Sequence, residues 1–197
     1  MPQKSAFSIG FETPQPELYI QACTIQGEIP EWLSGTLLRN GPGRFDVGSK
    51  RLSHWFDGIA MLHAFQFEQG QVSYKNRFLD CGQKRGVDEG RIDYAEFATD
   101  PCRSWFAKLQ GMAAITPTDS AKISIGKMGD RFMALGETPI QVEFDPRTLD
   151  SVGVLEYDPG AIVGMTTAHP HQDGGAGQET AYNLVVSLNA ISQYKIM

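Results

Sequence analysis

Gly35-Thr36-Leu37-Leu38-Arg39-Asn40-Gly41-Pro42-Gly43 is the stretch on which the fold of this chain turns. Residues 35–40 form a strand candidate, and Gly41-Pro42-Gly43 predicts its end, because proline brings no N–H to a ladder and glycine weakens strand interiors. Downstream, residues 61–67 alternate loosely between apolar and polar side chains. Glu68-Gln69-Gly70 then predicts a hairpin turn, and Gln71 to Phe78 alternates as a half-buried strand does. Further strands are predicted at 122–125, 131–135, 140–144, 152–157 and 180–186, with Gly126, Gly129-Asp130 and Asp145-Pro146 as breaks. Residues 80–93 are polar and contain glycine, so a surface loop is expected there, and 105–112 is the one short helix candidate.

Upstream, prolines at 14, 16 and 30 interrupt residues 1–34, which read as an irregular leader to a domain spanning 35–197. Strands at roughly ten-residue spacing without long helices between them indicate an all-β sandwich, barrel or propeller. Gly 21 and Pro 11 in 197 residues suit that class better than a helical one. At about 40–45 residues per propeller blade, the chain holds roughly three to four blades, too few to close a ring.

Composition narrows the function. A net charge of −6 with no basic cluster excludes a nucleic-acid footprint, which needs grouped Lys and Arg. Cys23, Cys81 and Cys102 form an odd set with no CxxC pair, which argues against a disulfide framework and fits reduced thiols in a cytoplasmic protein. No apolar run approaches the roughly 20 residues that span a bilayer, which leaves a peripheral membrane contact as the membrane mode open to this chain. No GxSxG elbow, P-loop or GxGxxG is present, so serine acyl transfer and nucleotide phosphate binding lack support.

Four histidines remain as candidate ligands: His54, His63, His169 and His171. In Thr167-Ala168-His169-Pro170-His171 the two imidazoles stand at i and i+2. On a strand they would share a face and could meet one metal; in a turn they would do no more than line it. A cupin-type site would want a Glu shortly after, but residues 174–177 are Gly-Gly-Ala-Gly. His54 and His63 bracket Trp55-Phe56-Asp57-Gly58, an aromatic-anchored turn, and read as structural residues.

These segments together resemble the carotenoid cleavage oxygenase family, in the style of its cyanobacterial apocarotenoid-cleaving branch. The resemblance rests on 35–43 followed by His54-Trp55-Phe56-Asp57-Gly58, then Tyr74-Lys75-Asn76-Arg77-Phe78 and Glu96-Phe97-Ala98-Thr99-Asp100-Pro101. Ala134-Leu135-Gly136-Glu137-Thr138-Pro139, Phe144-Asp145-Pro146-Arg147 and Thr167-Ala168-His169-Pro170-His171 complete it, in family order. It implies part of a seven-bladed β-propeller whose axis carries a non-haem Fe(II), that is Fe(2+), held by histidines from different blades. The implied reaction is cleavage of a conjugated double bond of a carotenoid or apocarotenoid by O2, giving carbonyl products.

Carried over by position, His169 matches an iron ligand. Glu137 resembles a glutamate that accepts a hydrogen bond from a ligand imidazole, fixing its tautomer. The other three implied ligands lie beyond position 197, so the chain is expected to be the N-terminal portion of such an oxygenase, truncated and inactive alone unless a complementing C-terminal propeller chain supplies the rest. The alternative is a non-catalytic propeller fragment acting as a binding or complementation module.

Overall fold

The computed structural model describes residues 6–12, 16–92, 118–155, 165–173, 180–182, 184–187 and 193–196. The predicted helix at 105–112 lies outside them, as do Glu96–Pro101 and the third cysteine. In chain order, a 3-10 turn at Ala6–Phe11 precedes β1 (Tyr19–Ile20), β2 (Gly35–Arg44), β3 (Asp46–Val47) and β4 (Lys50–Arg51). A second 3-10 turn, Trp55–Asp57, leads into β5 (Ile59–Glu68), β6 (Gln71–Phe78) and a short helix, α1 (Gly82–Asp88). Then come β7 (Ser124–Met128), β8 (Arg131–Leu135), β9 (Val142–Phe144), β10 (Ser151–Val154), β11 (Met165–Thr166) and β12 (His171–Asp173). The last described elements are β13 (Thr180–Tyr182), β14 (Leu184–Ser187) and β15 (Gln193–Ile196).

Two four-stranded antiparallel sheets carry most of the described structure. The first has order β1-β6-β5-β2 and the second β10-β9-β8-β7. The second is a plain meander. A third sheet, β11-β14-β15, and two-stranded pairs β12-β13 and β3-β4 complete the set. The stretch predicted as one strand at 180–186 is divided between β13 and β14, which belong to different sheets.

The first sheet's hairpin follows the sequence pattern closely. Gln69 (φ 48°) and Gly70 (φ 73°) form the turn, and Glu68 pairs with Gln71. The predicted end of β2 at Gly41-Pro42-Gly43 does not occur, because the strand runs on to Arg44. It does so as an edge strand, where a residue without an N–H leaves no ladder bond broken. The register against β5 also shifts between Pro42 and Arg44, placing Gly43 in a bulge. A Cβ on Gly43 would stand 2.6 Å from the Met61 Cβ, so this close approach of β2 to β5 requires glycine.

Two further expectations are corrected. The leader is not wholly irregular, for β1 adds to the outer edge of β6, with Tyr19 opposite Lys75. Buried Asn76 fastens it, accepting from the Leu18 N–H through Oδ1 at 2.6 Å while its own N–H donates to the Leu18 carbonyl at 3.1 Å. The loop expected at 80–93 contains α1, whose Gln83, Gly86 and Val87 are buried. Its first N–H groups, those of Gly82 and Gln83, donate to the Asp119 carboxylate. A cap supplied from so far along the chain leaves no trace in the helix's own sequence.

The core lies between the first two sheets. Ala60, Leu62 and Ala64 of β5 face Ala134 of β8 and Val142 and Phe144 of β9, all at most 3% exposed. This packing places the start of β7 beside β2, and Ser124 at that start bonds the segment after β11, where the candidate site stands.

Candidate functional site

His169 lies in a bend between β11 and β12, and its side chain is exposed. His171 is the first residue of β12, also exposed. The two histidines therefore do not share one strand; Pro170 separates the bend from the strand. Glu137, just after β8, is exposed as well.

The segment leading to His169 is held firmly by the second sheet. The Thr166 N–H donates to the Glu137 carbonyl at 3.0 Å, and the Thr166 hydroxyl donates to the Thr138 carbonyl at 2.9 Å. The Ser124 hydroxyl donates to the Ala168 carbonyl. Thr166 and Ala168 are 4% and 2% exposed, so these bonds are shielded from water. Glu137 and His169 thus belong to two segments stitched together through the backbone. On the other side, Asn40 of β2 donates through Nδ2 to the carbonyls of Ala121 (2.8 Å) and Ser124 (3.0 Å), binding the first sheet to the second.

Asn40, Ser124 and Thr166 were not singled out by sequence reasoning. An asparagine inside a strand, here between Arg39 and Gly41, is a weak signal, since asparagine is depleted in strands. Nothing in the sequence marks Ser124 or Thr166.

The other two histidines are structural, as their setting predicts. His54 caps the 3-10 turn, its Nδ1 accepting from the Phe56 N–H at 3.2 Å. Trp55 and Phe56 are 41% and 53% exposed, so they form a rim and not a core. His63 is half-buried on β5, hydrogen-bonded through Nδ1 to the Tyr74 hydroxyl at 2.8 Å and paired across the ladder with Arg39. Burial first, and the Arg39 charge second, hold its pKa below the ordinary 6.5.

The pH dependence follows. Between the lowered folded value and 6.5, the unfolded chain binds a proton that the folded chain resists, so stability falls as pH falls through that window. Urea midpoints are expected to drop between pH 7.5 and the acid side of 6.5, and the drop should shrink in His63→Gln. An equal drop in that variant would remove His63 as its source.

Among the described residues, no group of three or more His, Cys, Asp or Glu side chains is gathered where it could hold a metal ion. Cys23 and Cys81 are free thiols, and burial pushes the Cys81 thiol up to about 11, which makes it a poor ligand and nucleophile. No described helix is long and apolar enough to cross a membrane.

Comparison with known proteins decides how these sheets are to be understood. The family model for RPE65, the retinal pigment epithelial membrane protein, matches residues 7–197. The chain belongs to the RPE65/carotenoid oxygenase family. Chicken β,β-carotene 15,15′-dioxygenase is 39% identical over 170 residues, covering 82% of this chain and 32% of the chicken protein. The mitochondrial carotenoid-cleaving dioxygenase of the ferret Mustela putorius furo is 34% identical, over 88% of this chain and 32% of its own length. An ACO/RPE65 chimera superposes with a TM-score of 0.79 at 28% identity, over 96% of this chain and 41% of the chimera. A Synechocystis apocarotenoid oxygenase variant, 24% identical, shares the fold at a TM-score of 0.79 over 97% of this chain and 44% of its own. The sheets of this oxygenase-family chain are accordingly part of a seven-bladed β-propeller. The chain spans about a third of the length of the curated relatives it matches.

Proposed function

We propose that these residues form part of a non-haem Fe(II)-dependent dioxygenase that cleaves a conjugated double bond of a carotenoid or apocarotenoid, consuming O2 and releasing two carbonyl products. The observation that carries this reading is the match of the family model to residues 7–197, with relatives named as carotene and carotenoid-cleaving dioxygenases. Bound iron would supply the activation of O2.

His169 is the residue of this chain that would hold the metal. Its exposed imidazole sits at the end of a segment pinned by the second sheet, which suits a ligand that has to be held in one place. Glu137, on the strand end tied to the same segment, would accept an N–H from a ligand imidazole contributed by residues outside these 197, fixing its tautomer and its orientation. Neutral imidazoles suit Fe(II) as ligands. With His54 and His63 engaged elsewhere, the 197 residues offer too few imidazoles for a complete shell, so turnover requires further chain, continuous with this one or added as a second polypeptide.

Polyene substrates are lipid-soluble, and Phe7, Ile9 and Trp32 of the leader are 82%, 76% and 81% exposed, which supports a peripheral membrane contact for a cytoplasmic protein.

Iron stoichiometry tests the reading. The chain is purified anaerobically with Fe(II), alone and with a family segment carrying the remaining histidines, as wild type and as His169→Ala. One iron per complex is expected in the mixture, none in the chain alone, and none with His169→Ala. Absence of iron from every preparation would favour the non-catalytic binding or complementation module instead.

A further inference from the structure

We infer that Ser124 is a positioning residue for His169, acting through the peptide that joins Ala168 to it. The inference rests on the ligand reading of His169 proposed above. The Ala168 carbonyl that accepts the Ser124 hydroxyl belongs to the same peptide plane as the His169 N–H. Fixing that carbonyl fixes the plane, and with it the position of the His169 Cα from which the side chain departs. Ala168 is buried while His169 is exposed, so the control point is dry and the controlled group is open.

Ser124 is itself anchored. Its carbonyl accepts from Asn40 Nδ2 at 3.0 Å, and Asn40 grips the Ala121 carbonyl at 2.8 Å, so the start of β7 is tied to the first sheet. Two residues before Ala168, Thr166 is bound to Glu137 and Thr138. The bend thus hangs from two bonds at its approach, both made by Thr166, and one at its crest, made to Ala168. Without the Ser124 bond, the peptide carrying His169 keeps only the local bond from the His169 N–H to the Thr167 hydroxyl, at 3.2 Å, and loses its direct tie to the second sheet. Sites of this kind need ligands held within about 0.5 Å, and losing such an outer partner weakens metal affinity by roughly 10–100-fold.

The test uses the iron-loaded complex that completes the propeller, with Fe(II) dissociation and the ligand-field bands of Co(II) as readouts besides turnover. Cobalt has been placed in a Synechocystis relative. Ser124→Ala is expected to weaken Fe(II) binding roughly tenfold and to shift the Co(II) bands, while Ser124→Thr, which keeps the hydroxyl, stays within about twofold of wild type. Val72→Ala, a buried first-sheet change remote from the bend, serves as the control for lost stability and should leave both readouts unmoved. If His169→Ala loses the metal while Ser124→Ala binds as wild type, the positioning role falls and the ligand reading stands. Equal weakening by Val72→Ala would reduce Ser124 to a stability residue. Should His169→Ala retain full binding, both readings fall together.

Discussion

Phe144→Ala is expected to lower the unfolding free energy by about 3–5 kcal/mol, the range for deleting a fully buried aromatic ring. Phe144 ends β9, is 2% exposed and packs in the cluster that joins the first two sheets. Its neighbours there include Ala60, Ala64 and Ala134, small side chains that cannot swing in to refill the space. Phe132 meets its ring at a 6.2 Å centroid separation and loses that partner too. Because small neighbours hinder collapse, the cost belongs at the upper end of the range. Denaturant unfolding checks this. A loss below about 1.5 kcal/mol would match a well-accommodated swap rather than a cavity and would show that the two sheets do not depend on this contact.

Gly136→Ala is the second change with a large expected effect. A Cβ on Gly136 would stand 2.6 Å from the Ser120 carbonyl oxygen and 3.4 Å from the Ala121 Cα, both backbone atoms. A flexible side chain could turn aside; a backbone segment has to move as a whole. Overpacking of this sort costs about 1–3 kcal/mol. The displaced pieces are those the site depends on, since Ala121 accepts from Asn40 and the residues after Gly136 hold Thr166. The expected result is a drop in stability together with weaker metal binding in the completed propeller. Gly153→Ala is the matched comparison: nothing lies within 4 Å of the added methyl, and it should be close to neutral. Equal stability of the two variants would contradict the crowding at Gly136.

The parts of this fold that were legible were those decided locally. β6 and β8 fall where alternation and their turn residues put them, because each strand's pattern and its hairpin turn agree. What was hidden depended on distant partners. The survival of β2 through Pro42 depends on its lying at a sheet edge, which no reading of residues 35–43 can reveal. The helix at 82–88 depends on a carboxylate at Asp119, and the strand at 19–20 depends on Asn76. The site divides the same way. His169 stood out because few histidines exist to choose from and because of its family context, whereas Ser124 is an ordinary serine until the Ala168 carbonyl is brought to it.

The docking of β1 on β6 also has a kinetic side. The second sheet is a meander of nearest neighbours, so each strand closes only a short loop to pair. Tyr19, by contrast, must wait for Lys75, and the intervening chain has to fold back before the pair forms. As the polypeptide emerges from the ribosome, the first sheet is therefore begun earliest but has to wait for β6 before its outer edge is covered. Until then the leader is a free tail and the β6 edge, once made, is open to another chain. Removing the leader would make that interval permanent, turning a passing stage of assembly into a standing route to aggregation.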